Sequence, residues 1–248
     1  MISIYCFLKD EMEVLPRALP TWLPFCDELV LVDTGSTDGS LEWIKELERA
    51  SRENPDWERP RVRVESLPWP SPADWSLITQ QTMDLCAEPW ALRIDADETF
   101  KGDPAAFRSV MKNMEELCKR QQWAARDGLI SGLPVAVGGV LVWFEEPETG
   151  YTCWRSRLHR HRDGWTWRYR LDPTPVPPPG QEGGVFVMLQ PWILTVEHLR
   201  SSVRGDALKR AEGLMEFVEE LDGPQTGLAR RHYQDAVDRI KLYGKVEK

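Results

Sequence analysis

Residues 28–44 read ELVLVDTGSTDGSLEWI, and the order of residue types within them decides the fold. Leu29–Val32 form an unbroken apolar run that ends on Asp33, the pattern of a strand buried on both faces. The turn formers Thr34–Gly39 follow, and then Leu41, Ile44 and Leu47 recur on one face of a helix. Ser36, Thr37 or Asp38 is available to cap that helix. Strand, tight turn and helix in this order are the opening of a βα unit, so a largely parallel sheet is expected.

The same alternation extends outward on both sides. Upstream, ISIYCFLK (2–9) is a strand, and EMEVLPRALPTWL (11–23) is a short helix interrupted by its prolines. Downstream, RVRVESL (61–67) and WALRID (90–95) are strands flanking a helix in DWSLITQQTMDLCAE (74–88). Beyond Asp103 a helix is expected near 104–121, then strands with a bend or bulge in GLISGLPVAVGGVLVWF (128–144). YTCWRSRLHRHRDGWTWRYRL (151–171) suggests a hairpin turning at Asp163-Gly164, and DPTPVPPPGQEGG (172–184) a loop. Helical tracts at about 201–221 and 227–243 close the chain.

Composition limits what such a chain does. With 248 residues, 42% apolar and 29% charged, it can bury a substantial core and lies outside the disordered and membrane classes. No apolar run reaches the roughly 20 residues that span a bilayer, and the amino terminus meets acidic residues too early for a signal peptide. A cytoplasmic location without a membrane anchor is the expectation. The five cysteines include no CxxC pair, so buried thiols are expected rather than a zinc knuckle. A net charge of −9 argues against a protein that coats nucleic acid broadly, while leaving room for a local basic patch. The twelve tryptophans suit a core and also the stacking of sugars or bases.

LRIDADET (92–99) gathers three carboxylates where a strand runs out. Strand alternation would point Asp95 and Asp97 the same way and Ala96 the other, and paired oxygen donors suit Mg²⁺ or Mn²⁺. Two other readings compete. One is a capped, solvated strand end; the other is the Asp-x-Asp-x-Thr signature of a phosphatase, which belongs on a first strand rather than a fourth.

VDTGSTDGS (32–40), with LKDE (8–11) after the first strand and LRIDADE after the fourth, resembles the family 2 glycosyltransferases of GT-A fold. The resemblance implies a Rossmann-like α/β domain, with a mainly parallel central sheet flanked by helices and a C-terminal helical tail. It divides the chain into a nucleotide-sugar half (1–100), an acceptor half (101–200) and tail helices (201–248). It also implies a metal-dependent, inverting enzyme whose donor is a nucleotide-sugar, UDP-linked by expectation.

Carried over residue by residue, Asp33, Thr34, Gly35, Ser36 and Asp38 would face the nucleotide, with Lys9 and Glu11 in the same pocket. Asp97 would bind the metal, Asp95 the ribose or the metal's water shell, and Glu98 would be an outer or acceptor-side group. LTVEHLR (194–200) resembles the strand that presents a histidine to that metal, here His198. Arg157 is expected near the donor diphosphate. Two departures stand out: Thr79 and Gln80 replace an Arg-Asn pair, and Asp172 and Pro173 replace a His-Glu pair.

The base that deprotonates the acceptor must face the diphosphate, so Asp172 comes first by position, then Glu145 or Glu146. Segment 155–170 is rich in arginine and aromatic residues; Arg155, Arg157 and His159 would share one face, opposite Trp154 and Leu158. Such a surface suits a polyanionic acceptor, of which hydroxymethylated DNA is one, with peptide or glycan as alternatives. Loop 172–184 is expected to order over bound substrates. The missing pairs leave one further alternative: a GT-A protein that binds nucleotide or nucleic acid without turnover.

Overall fold

The computed structural model describes residues 1–199 except 55, 58–59, 71–73, 127–136, 148–149, 169–172 and 180–184. Asp172 and the expected tail helices lie outside the described residues. Four parallel strands form the first half of the sheet: β1 (Ile2–Leu8), β2 (Glu28–Asp33), β3 (Arg61–Ser66) and β4 (Trp90–Arg93), in the order β3-β2-β1-β4. They are joined by α1 (Leu15–Trp22), α2 (Ser40–Glu53) and α3 (Trp75–Asp84). Every residue of β2 is buried, as its unbroken apolar run predicts for a strand covered on both faces.

Side-chain alternation sorts the core into two layers. Ile2, Ile4, Cys6 and Leu8 of β1 join Leu29 and Leu31 of β2 against α1, α2 and α4 (Pro104–Arg126). Tyr5 and Val30 point to the opposite face, where they meet Met83, Trp165 and Trp167. Pro20 lies inside α1, and a 3₁₀ turn at Leu23–Phe25 completes it, so the interrupted helix forms where expected. The cysteines are free thiols, four of them buried.

The second half of the sheet is mixed. Antiparallel β7 (Tyr151–His159) adds to β4; β6 (Val137–Glu146), β11 (Leu194–His198) and β5 (Glu98–Gly102) follow in that order. β10 (Val185–Met188) pairs with β6 as well. The expected bulge is present: the β6–β7 register shifts between Val140 and Leu141, next to Gly139 at φ 138°.

The hairpin expectation fails, β9 (Thr174–Val176) lies within the stretch expected as a loop, and β5 is an additional strand. Residues 151–171 are not a hairpin: β7 pairs with β4 and β6, whereas β8 (Thr166–Arg168) pairs with β9 in a separate small sheet. Gly164, at φ 91°, does turn the chain, but it redirects β8 over α3 and β1 rather than back along β7. β5 was not anticipated, because ETFKG is short and polar at one end; its partner β11 is far along the chain. Among the described residues, no helix is long and apolar enough to cross a membrane.

Candidate active site

Strand order reverses between β1 and β4, since the chain moves outward from β1 to β3 and then returns to the other side of β1. Ligands of open α/β sheets bind at such a crevice, beyond the carboxyl ends of the strands. A cleft of about 510 Å³ lies there. Lys9, Asp10, Glu11 and Thr34 line one end, and Asp95, Asp97 and His198 the other. Phe7, Trp69 and Trp75 form an aromatic wall with ring centroids 5.9–6.4 Å apart.

Asp95 and Asp97 reach the cleft by a different route from the one alternation implies. β4 ends at Arg93, and Glu98 N–H donates to Asp95 C=O at 3.1 Å, so residues 95–98 form a tight turn. In that turn Asp95, Ala96 and Asp97 all line the cleft. The turn is held from two sides: Trp22 Nε1–H of α1 donates to Glu98 C=O at 2.7 Å, and Leu199 N–H donates to Asp97 C=O at 2.7 Å. The second bond and the pairing of His198 with Glu98 across β11–β5 bring His198 Nε2 to 3.1 Å from Asp97 Oδ2.

One carboxylate oxygen and one imidazole nitrogen are the donors that this end of the cleft offers a divalent ion, and among the described residues no group of three or more His, Cys, Asp or Glu is arranged to hold one. Adjacent octahedral ligands about 2.1 Å from a metal lie about 3.0 Å apart. The 3.1 Å separation of Asp97 and His198 fits two neighbouring ligands and equally the direct imidazole–carboxylate contact that the pair makes, so these are the two residues that would hold a cation here. Asp95 is differently placed. Arg93 Nη2 lies 3.1 Å from its Oδ1 and Arg157 Nη2 3.0 Å from its Oδ2. Burial pushes the Asp95 carboxyl up, but Arg93 and Arg157 outweigh burial and hold it well below the usual carboxylate range. Arg157 also bonds Glu98, whose fully buried carboxyl is pushed up by burial.

The VDTGSTDGS segment is mostly a clasp. Asp33 accepts from Gly35 N–H and Ser36 N–H, closing its own turn. Asp38 accepts from Met12 N–H at 2.9 Å and from Ser40 N–H at 3.0 Å, tying the end of α2 to the chain after β1. Asp10, at φ 54°, accepts from Thr37 N–H and donates through its own N–H to Ser36 Oγ. Of the five residues expected on the nucleotide, Thr34 lines the cleft; Asp33 closes its own turn onto Gly35 and Ser36, and Ser36 and Asp38 accept from the N–H groups of Asp10 and Met12 in the chain after β1. The helix cap is also not a side chain of the kind expected: Gly39, at φ 95°, takes the N-cap position.

Arg157 is 7% exposed and engaged with Asp95 and Glu98, so it supports the site from behind rather than lining the cleft. Thr79 and Gln80, standing where the resemblance expects Arg-Asn, make structural bonds: Thr79 Oγ1 donates to Trp75 C=O, and Gln80 receives Trp167 N–H. Glu145 and Glu146 separate by strand alternation. Glu145 accepts from Trp143 Nε1–H on one face of β6, while Glu146 lies with Phe144 on the other. Glu146 lines a smaller cavity of about 110 Å³ that shares Asp95 and His198 with the main cleft. Sequence reasoning missed Arg93, Trp69 and Trp75; the signal was a cation on an apolar strand and two tryptophans flanking the proline-rich stretch 70–72.

Comparison with known proteins bears on the fold. The structure is similar to the crystal structure of S. aureus TarS 1-349 in complex with UDP, with a TM-score of 0.50, 10% identity, and coverage of 99% of this chain and 73% of that one. The fold is GT-A-like. The complex of the same S. aureus protein with UDP-GlcNAc matches at a TM-score of 0.49 and 10% identity, covering 96% of this chain and 72% of that one. In sequence, 97 residues are 30% identical to the lipopolysaccharide core biosynthesis glycosyltransferase LpsC of Rhizobium meliloti (strain 1021). That match takes in 39% of this chain, and the chain spans about a third (32%) of the relative's length. No family model matches.

Proposed function

We propose that the chain is a glycosyltransferase that moves a sugar from a UDP-linked donor to an acceptor hydroxyl, with a divalent cation at Asp97 and His198. The observation that carries this reading is the 510 Å³ cleft at the strand-order reversal, with a backbone-clasped loop at one end and the Asp97–His198 pair at the other. The UDP complex of the similar S. aureus structure supports the nucleotide.

Lys9, Glu11 and Thr34 bind the nucleoside end, and the turn 95–98 takes the diphosphate. A cation held there, Mn²⁺ or Mg²⁺, supplies positive charge to the leaving diphosphate. Asp95, fixed by Arg93 and Arg157, acts as an oriented hydrogen-bond acceptor. Glu146 is the base: the acceptor oxygen bonds to the anomeric carbon, its proton passes to the Glu146 carboxylate, and the carbon–oxygen bond to diphosphate breaks with its electron pair on the diphosphate. A single in-line displacement of this kind inverts the anomeric centre. Asp172 stays a candidate for the same proton.

A panel of UDP-sugars assayed for UDP release with Mn²⁺ tests the reading. Glu146→Gln lowers kcat by about 10²-fold or more with an unchanged UDP affinity; turnover at the wild-type rate would leave Asp172 as the base. A binder without turnover is the second reading, favoured by the structural bonds of Thr79 and Gln80, which leave no cation of α3 at the cleft. Donor affinity with no UDP release from any sugar nucleotide supports that reading instead.

A further inference from the structure

The smaller cavity adjoins the donor cleft and is built from unusual parts. Glu146 is 5% exposed and forms a wall together with Glu98; Tyr151, directly opposite Glu146 across the β6–β7 pair, is 41% exposed at the rim. Arg155 lies flat on Phe144, its guanidinium carbon 3.6 Å from the ring centroid, and contributes the cavity's arginine. Asp95 and His198 are common to this cavity and the cleft, so a group held here sits across those two side chains from the diphosphate end.

We propose that this cavity is the acceptor subsite and that it takes a neutral sugar ring, laid on Tyr151 with its hydroxyls toward Glu146 and Arg155. The inference rests on the donor assignment above only for its place in the reaction, not for binding. An exposed aromatic ring beside buried carboxylate and guanidinium groups gives a sugar both things it presents: an apolar C–H face and a fringe of hydroxyls. Charge argues against a polyanion. Asp95, Glu98 and Glu146 line the cavity beside Arg155, and Arg93 and Arg157 are already engaged with Asp95 and Glu98, so the lining offers no surplus of cations to a polyanion.

Of the arginines that made DNA attractive, three are engaged within the protein, while Arg168 is exposed on β8 and Arg170 lies outside the described residues. Arg157 serves Asp95 and Glu98, Arg160 serves Glu115 and Asp163, and Arg162 donates to Ala87 C=O. His159 is fully buried, and burial pushes its imidazole down to about 3, so it adds no positive charge near neutral pH.

Saturation-transfer difference NMR on the whole chain, with methyl hexopyranosides of gluco, galacto and manno configuration, tests the subsite directly. At least one glycoside binds the wild type. Tyr151→Ala weakens it tenfold or more, Tyr151→Phe restores it, and excess UDP does not displace it. Thermal melts confirm that each variant is folded. Binding of no glycoside, equal binding by Tyr151→Ala, displacement by UDP, or displacement by a hydroxymethylcytosine duplex would each overturn the proposal. UDP binding is followed separately by tryptophan fluorescence, so a failed donor reading with intact glycoside binding is a distinguishable result.

Discussion

Arg157 and Arg155 are two residues apart on β7 and have opposite fates. Arg157 is buried between Asp95 and Glu98, whereas the side chain of Arg155 stays 37% exposed over Phe144. Removing one partner of a buried ion pair leaves the other charge uncompensated, at about 3–5 kcal/mol. Arg157→Met should therefore lower the urea-unfolding free energy by about that much, and Arg155→Met by less than about 1 kcal/mol. Equal effects would mean that Arg157 is not the internal counter-ion. The sequence pattern places Arg155, Arg157 and His159 on one face and Leu158 on the other, but the register shift between Val140 and Leu141 breaks that alternation: Arg155 packs on Phe144 in the same layer as Leu158, His159 packs with Trp165 and Trp167 in the opposite layer, and Arg157 sits at the shift. What turns Arg157 inward is Glu98, a residue whose burial depends on β5, and nothing in ETFKG foretells that strand.

At the scale of elements, the βα units of the first half were readable because their apolar runs and turn residues are local. The clasp between residues 10–12 and 36–38 was not, because its hydrogen bonds join turns that are distant in sequence and no local pattern announces them. Asp38→Ala removes acceptors for Met12 N–H and Ser40 N–H, so the chain loses about 1–2 kcal/mol of stability. UDP affinity falls as well, although Asp38 does not line the cleft; calorimetry on the folded variant checks this, and an unchanged affinity would detach the clasp from the donor loop. Gly102 ends β5 at φ 134°, and a Cβ there would lie 2.4 Å from the Ile193 carbonyl oxygen. Gly102→Ala should cost more than about 2 kcal/mol in chemical denaturation, by strain and by loosening the β5–β11 pairing that positions His198.

Over the whole molecule, the parallel half of the sheet follows from sequence order, while the mixed half depends on pairings between distant strands that no local pattern specifies. One consequence is a buried His159 under Trp165 and Trp167, stacked at 4.5 Å from the first of them. Its folded pKa is depressed to about 3 from an ordinary 6.5. The stability it contributes is thus complete above about pH 6.5 and is lost as pH falls toward 3, because the unfolded chain takes up a proton that the buried ring refuses. Between pH 7.5 and 5.0 the wild type should lose about 2 kcal/mol more than His159→Gln in urea titrations; parallel losses would contradict the buried neutral imidazole.

The cleft between β1 and β4 gathers side chains from both halves, and its most direct test is calorimetry of UDP with and without Mn²⁺. The wild type should bind UDP at least tenfold more tightly with the cation. Asp97→Ala and His198→Ala should each abolish that difference while keeping a wild-type melting profile. Cation-independent binding in the wild type, or an undiminished cation effect in both variants, would contradict the metal–diphosphate site at Asp97 and His198.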